Sequence, residues 1–157
     1  MTKEEFAYRA EEMRVSLYRV ACAYLRQEAD RMDAVQEALL KAWYGLPHLK
    51  DESYFKTWLT RILIRECVNI QRKQHRTVPM EIIPEKPEKE SGGIPEVREA
   101  LLRLPENQRI VVVLFYMEEY PVEEIARTLR LPKGTVCSRL KRAREKLKAY
   151  IEEEAEI

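Results

Sequence analysis

Apolar positions recur along the chain in steps of three and four, the spacing that lines one face of an α-helix. In residues 4–27 the series is Phe6, Ala10, Met13, Leu17, Val20 or Ala21, and Tyr24, which predicts a long helix packed on a core. Residues 31–45 carry a second series, Val35, Ala38, Leu39 and Ala42. Asp33, Gln36, Glu37, Leu40, Lys41 and Tyr44 lie elsewhere on that helix, and a mixed surface with an exposed leucine suits either a partner or plain solvent. Gly45 and Pro47 stop the helix. A polar connection follows at residues 46–53, with Ser53 placed to cap a third helix that runs to about Arg76. Phe55, Leu59, Ile62, Leu63 and Ile70 give that helix its apolar side. Arg61, Arg65, Arg72 and Arg76 fall within about 60° of one another, with Asn69 beside them and Trp58 at the border.

Residues 77–95, TVPMEIIPEKPEKESGGIP, break all periodicity. Pro79, Pro84, Pro87 and Pro95 exclude regular helix, and Gly92-Gly93 adds freedom. The segment reads as an acidic, flexible linker between helical blocks at residues 1–76 and 96–157. The second block opens with a short helix from Glu96 to Arg103. A longer helix follows from Glu106 to Met117, with Ile110, Val113, Leu114 and Met117 inward. No strand-like alternation occurs, so the expected fold is all-α, two small helical domains.

Residues 120–147, YPVEEIARTLRLPKGTVCSRLKRAREKL, read as two helices joined by a tight turn at residues 130–133. Pro121 suits the first position of the first helix, whose inner side is Val122, Ile125, Ala126 and Leu129. On the second helix, take about 100° per residue with Ser138 at zero. Val136, Leu140, Ala143 and Leu147 then lie within about 40° of the opposite pole, and Gly134, Thr135, Ser138, Lys141, Arg142 and Glu145 within about 60° of Ser138. Gly134 is expected where the helix start packs tightly. One face is pinned and the other is offered to a polyanion, the arrangement a helix needs in the DNA major groove. Ser138, Lys141 and Arg142 are the candidates for base edges; Thr135 and Arg139 lie to one side, better placed for phosphate.

Charge sharpens this picture. The 157 residues carry a net +1, which argues against general stickiness to polyanions. Between Lys133 and Lys148, however, seven basic residues stand against Glu145 alone, a local +6, before the acidic end Glu152, Glu153, Glu154 and Glu156. Cys22, Cys67 and Cys137 are odd in number and far apart, as in a reducing compartment. No apolar run approaches a membrane span and MTKEEF has no signal-peptide core, so a cytoplasmic chain without membrane insertion is expected. His48 and His75 assemble no nucleophilic triad, metal cluster or phosphate loop. No enzyme activity, metal or cofactor is expected. Cys137, on the flank of the groove face, reads as a tolerated small residue or as a redox switch.

With both blocks in view, the chain resembles the extracytoplasmic-function group of the bacterial sigma-70 family. DAVQEALLKAWYGLPHL (residues 33–49) resembles the helix that docks on the polymerase clamp, with the loop after it. FKTWLTRILIRECVNIQRKQ (residues 55–74) is similar to the helix that opens and reads the −10 element. LPENQRIVVVLFYMEEYPVEEIARTLRLPKGTVCSRLKRAREKL (residues 104–147) is similar to the domain that reads the −35 element. The resemblance implies an RNA polymerase sigma factor that gives promoter specificity, in a stress or envelope response. It implies polymerase binding by Asp33, Gln36, Glu37, Leu40 and Lys41. It implies −10 contacts by Trp58, Arg61, Arg65, Asn69 and Arg72, a flipped-base pocket at residues 48–53, and −35 contacts by Lys133, Thr135, Ser138, Arg139, Lys141 and Arg142. Core RNA polymerase, promoter DNA and an anti-sigma factor are the implied partners. Two positions depart from common relatives: Arg65 stands where Asn is frequent, and Cys137 where a basic residue is frequent. Two other readings compete with this one. A helix-turn-helix regulator acting without polymerase would form a symmetric dimer on a palindromic site. A helical interaction protein would not read DNA at all.

Overall fold

The computed structural model describes residues 1–77 and 95–155. Among these every regular element is helical, in two compact units, Met1–Glu88 and Lys89–Ile157. The expected linker falls almost wholly on residues 78–94, which lie outside the described residues.

The first unit is three helices, α1 (Lys3–Cys22), α2 (Glu28–Gly45) and α3 (Phe55–Thr77). Helix α1 starts at a reciprocal cap: the Thr2 hydroxyl accepts from the Glu5 amide and the Glu5 carboxylate accepts from the Thr2 amide. It ends at Cys22, five residues short of the expected boundary, and α2 starts three residues early. The cause lies in the turn between them. Arg31 is buried, its Nε donating to the Leu25 carbonyl at 2.9 Å, Nη2 to the Arg26 carbonyl at 2.5 Å and Nη1 to the Tyr18 hydroxyl at 3.3 Å. A guanidinium fork spread over backbone carbonyls holds the chain in a turn that the apolar period alone reads as helix. Tyr24, expected in the α1 stripe, sits in this turn, and its carbonyl accepts from Gln71 of α3.

Leu17, Val20, Ala21, Ala34, Ala38, Ala42, Leu59 and Leu63 form the centre of the core. Small residues on α2 let the neighbouring helices approach closely. The rings of Trp43, Phe6, Phe55 and Trp58 run in sequence across all three helices, with centroids 5.4, 5.9 and 6.1 Å apart. Two expectations need correction. Ser53 does not cap α3: Asp51 accepts from the Ser53 amide at 3.0 Å and hydroxyl at 2.7 Å, starting a short 3₁₀ turn before Phe55. Those donors hold the Asp51 carboxyl below its ordinary range. On α3 the buried line is Phe55, Leu59, Leu63 and Cys67, with Ile62 and Ile70 only half-buried.

The second unit holds α4 (Pro95–Arg103), α5 (Glu106–Val112), α6 (Val122–Leu129) and α7 (Lys133–Ala155). A single π-helical stretch, Val113–Met117, continues α5. Its extra residue per turn shifts the phase, so Met117 turns outward at 42% exposure although Ile110, Val113 and Leu114 are buried as expected. Arg109 closes the α4–α5 turn by donating to the carbonyls of Leu101, Leu102 and Leu104 at 2.8–3.1 Å.

Replacing Arg31 by Met leaves the Leu25 and Arg26 carbonyls with their largest donor removed. It should cost the first unit about 2–4 kcal/mol. Urea unfolding followed by amide exchange should show lost protection in residues 3–77 and unchanged protection in residues 106–155.

Candidate nucleic-acid interface

Helix α6 begins after Pro121, which stands at the cap rather than at the first helical position. It closes at Arg130 in the left-handed conformation, φ 55° and ψ 50°. The Leu131 amide donates back to the Ala126 carbonyl at 2.9 Å, and the Pro132 carbonyl accepts the first amides of α7, those of Thr135 and Val136. This short turn sets α7 across α6. Ile125 is fully buried and Ala126 half-buried beneath it. On α7, Val136, Leu140 and Ala143 are buried at 0–2% exposure, and Leu147 is half-buried.

With that face pinned, the other is outward: Lys133, Gly134, Ser138, Lys141, Arg142 and Glu145 are exposed, and Thr135 and Arg139 half-exposed. The Ser138 hydroxyl bonds the Gly134 carbonyl at 2.8 Å. Gly134 is not packed tightly as expected. A Cβ added there would meet nothing within 4 Å, and the residue is helical. Cys137 is exposed beside this face.

The basic surface is braced at both ends. The Lys133 ammonium contacts the Glu123 carboxylate at 2.7 Å, linking α7 to α6. This contact holds the Glu123 carboxyl below its ordinary range and raises Lys133. Arg144 donates to the Tyr116 hydroxyl at 2.5 Å and lies over the Phe115 and Tyr116 rings. Farther on, Arg103 stacks on Tyr150 at 3.9 Å and pairs with Glu153 at 3.2 Å, so the acidic end of α7 is a continuation of the same helix.

In the first unit, α3 exposes Arg65, Arg72 and Arg76; Arg61, Asn69 and Trp58 are half-buried. The Trp58 indole lies against Gly45, where an added Cβ would sit 3.5 Å from Cζ2. Asp33, Gln36, Glu37, Leu40 and Lys41 are exposed on α2. Beside them an open groove of about 810 Å³ runs between α1 and α2, lined by Val15, Met32, Leu40 and Trp43 among others. Val15 and Met32 are 64% and 59% exposed. The connection at residues 46–53 forms a 3₁₀ turn, Leu46–His48, and is tied to α1 by Arg9 donating to the Glu52 carbonyl at 3.3 Å. A smaller open cavity of about 400 Å³, lined by Trp43, Leu46, Pro47 and Leu49, adjoins it. One feature escaped the sequence reading. Lys41 reaches across to α3 and pairs with Glu66, a nearly buried carboxylate 25 residues away. No helical period links positions so far apart.

The family described as Sigma-70 region 2 matches residues 10–77, and that described as Sigma-70, region 4 matches residues 94–147. The chain is 35% identical over 136 residues to the ECF RNA polymerase sigma factor SigM of Mycobacterium tuberculosis, covering 83% of this chain and 69% of SigM. The chain belongs to the ECF group of the sigma-70 family. It is also 35% identical to the ECF RNA polymerase sigma-E factor of Escherichia coli over 135 residues, covering 74% and 71% of the two chains. The sigma factor RpoE of Bartonella quintana, solved with the anti-sigma factor NepR, superposes with a TM-score of 0.80 at 26% identity, covering 95% of this chain and 98% of RpoE. As an ECF sigma factor the protein is a promoter-specificity subunit of RNA polymerase, and α6–α7 is the helix-turn-helix of its region 4. Among the described residues no helix is long and apolar enough to cross a membrane.

Two outcomes follow from this geometry. The Glu123 carboxyl should titrate below 4.5, its unperturbed value, and rise toward it in Lys133→Met, as read by NMR, with the backbone amide and Arg127 still holding it somewhat low. The sign is fixed by the two shifts: the pair's stabilisation is present above the unfolded carboxyl value and is lost as pH falls through the folded one. At the alkaline end it is lost as pH rises through the raised Lys133 value. Gly134→Ala should leave the thermal midpoint of the second unit unchanged or raised, because Ala is the better helix former and its methyl meets open space.

Proposed function

We propose that the two units divide promoter recognition between them, residues 1–76 docking on core polymerase and opening the −10 element, and residues 96–157 reading duplex −35 DNA. What carries this reading is the two-faced α7, apolar and buried at Val136, Leu140 and Ala143, cationic and exposed at Lys141 and Arg142. Ser138, Lys141 and Arg142 reach base edges; Lys133, Thr135 and Arg139 take phosphates. Lys133 must exchange Glu123 for phosphate, a small cost for an exposed pair. On α3, Trp58 offers a stacking ring, and Arg61, Arg65, Asn69 and Arg72 hold the separated strand. The connection at residues 48–53 receives one flipped base. Arg65, where relatives often carry Asn, adds backbone attraction in place of an amide's donor and acceptor.

Asp33, Gln36, Glu37 and Leu40 present the docking surface to the polymerase clamp. The adjoining α1–α2 groove, with Val15, Met32 and Leu40 exposed, has the apolar character that a partner helix covers. The RpoE–NepR complex supports an anti-sigma factor as an occupant that would withhold the chain from polymerase. The chain carries no chemistry of its own in this scheme; polymerase makes the RNA in the cytoplasm. Because each unit is small and the net charge near zero, free DNA is bound weakly, and docking supplies the effective concentration.

Run-off transcription with purified core polymerase over a promoter library tests this. A promoter-specific transcript is expected. Lys141→Ala and Arg142→Ala should each reduce it about tenfold or more on the preferred −35 sequence. Absence of any promoter-specific transcript would sink the reading. Silence of both substitutions beside an active wild-type chain would remove the −35 assignment alone.

A further inference from the structure

The α2–α3 groove contains a carboxylate with no role in docking, base reading or strand contact. Glu66 lies on α3 at 6% exposure overall, and its Oε1 receives the Lys41 ammonium from α2. The Lys41 side chain remains half exposed. The pair lines an open groove of about 520 Å³ together with Asn69 and Arg72 from α3 and Asp33 and Glu37 from α2. Asn69 is three residues beyond Glu66, so the two are neighbours on the surface of one helix.

We propose that Lys41 is a positioning residue for capture of the −10 strand rather than a ligand of polymerase, its ammonium cancelling the Glu66 charge beside Asn69 and Arg72. This rests on the reading that Asn69 and Arg72 face the separated strand. Asp33, Gln36, Glu37 and Leu40 are exposed on α2, whereas Lys41 is spent on a neighbouring helix. Surrendering that ammonium to a carboxylate of polymerase would leave Glu66 charged and alone where little water reaches it, which is the expensive way to break such a pair. The charge of the groove points the same way. Its lining balances Asp30, Asp33, Glu37 and Glu66 against Lys41, Arg72, Lys73 and Arg76, four of each sign. Without Lys41 the Glu66 charge is uncancelled, and a phosphate backbone entering beside Asn69 would meet it three residues away on the same helix. With the pair intact, that carboxylate is neutralised and the strand meets Arg72 beside it.

The test uses the full chain with core polymerase and a fork-junction promoter carrying a single-stranded −10 segment. Core affinity and strand affinity are read separately for the wild type, K41M, E66Q and K41M/E66Q. K41M should keep core affinity and lose about threefold to tenfold in strand affinity at low salt, the effect of one uncancelled charge near the backbone. E66Q should bind the strand at least as well as the wild type. K41M/E66Q, in which neither charge remains, should return to the wild-type value. The double variant also removes the lone buried charge that threatens the folding of K41M, so it decides the question even where K41M is unstable. Loss of core affinity in K41M/E66Q would make Lys41 a polymerase ligand and overturn the proposal. Unrestored strand affinity with normal core affinity would make Lys41 a direct phosphate contact, which overturns it equally. A wild-type chain that forms no promoter-specific complex would remove the functional reading and this inference together; failure confined to the double variant removes the inference alone.

Discussion

Both units depend on an arginine that closes the turn between two helices. A helix end leaves carbonyls without partners, and two helices that meet at a short turn bring several such groups into one place. A guanidinium carries five donors in a planar fork and can serve them together. Arg31 does this between α1 and α2, and Arg109 does it between α4 and α5. The apolar faces then meet at the angle that buries Leu17, Val20 and Leu59 in one unit and Ile110, Val111 and Leu114 in the other. Without those forks the same faces could slide, because an apolar stripe is tolerant of register. The forks are directional, and they turn a loose preference for burial into one arrangement.

On that scaffold the functional surfaces arise by exclusion. Helix α7 offers a cationic face because its opposite face is fully occupied by the core of the unit. Its basic residues differ in availability. Lys133 and Arg144 are engaged with Glu123 and Tyr116, whereas Lys141 and Arg142 stand on the exposed arc beside Ser138. Engaged cations brace the helix and keep the face in place; the exposed arc is left open to solvent. Helix α2 in the first unit follows the same rule. Its alanines are consumed by close packing against α1 and α3, and what remains outside is a mixed polar and apolar surface suited to a partner. Burial and salt bridging also differ in weight. The Glu123–Lys133 contact is exposed and screened, so it orients more than it stabilises. The Lys41–Glu66 contact involves a carboxylate shielded from water, so its removal from one side has consequences that reach the neighbouring groove.

The all-α class, the existence of each helix, the two-faced character of α7 and the basic line on α3 were legible in the sequence because they depend on period alone. A 3.6-residue repeat of apolar positions declares which face is buried whatever it is buried against. The family was legible too, through the order of the two blocks. What period could not reach were the interruptions. The early end of α1 depends on Arg31 finding carbonyls in a turn. The outward Met117 depends on one extra residue in a π-helical stretch. The capping of the α3 approach passed from Ser53 to Asp51 because a carboxylate two residues earlier takes both Ser53 donors. Each is a hydrogen-bonding event between particular atoms, and hydrophobic spacing is blind to it.

The sequence by itself therefore determined the helices, their apolar faces and the sign of the charge on the others, since these follow from local propensity and from amphipathic period. Tertiary structure alone decided which charges remain available. Lys41 and Lys141 look alike as exposed lysines on amphipathic helices, yet one is held by a carboxylate 25 residues away and the other stands in the open. Pairing across helices depends on the distance between side chains in space, and separation along the chain carries no information about it.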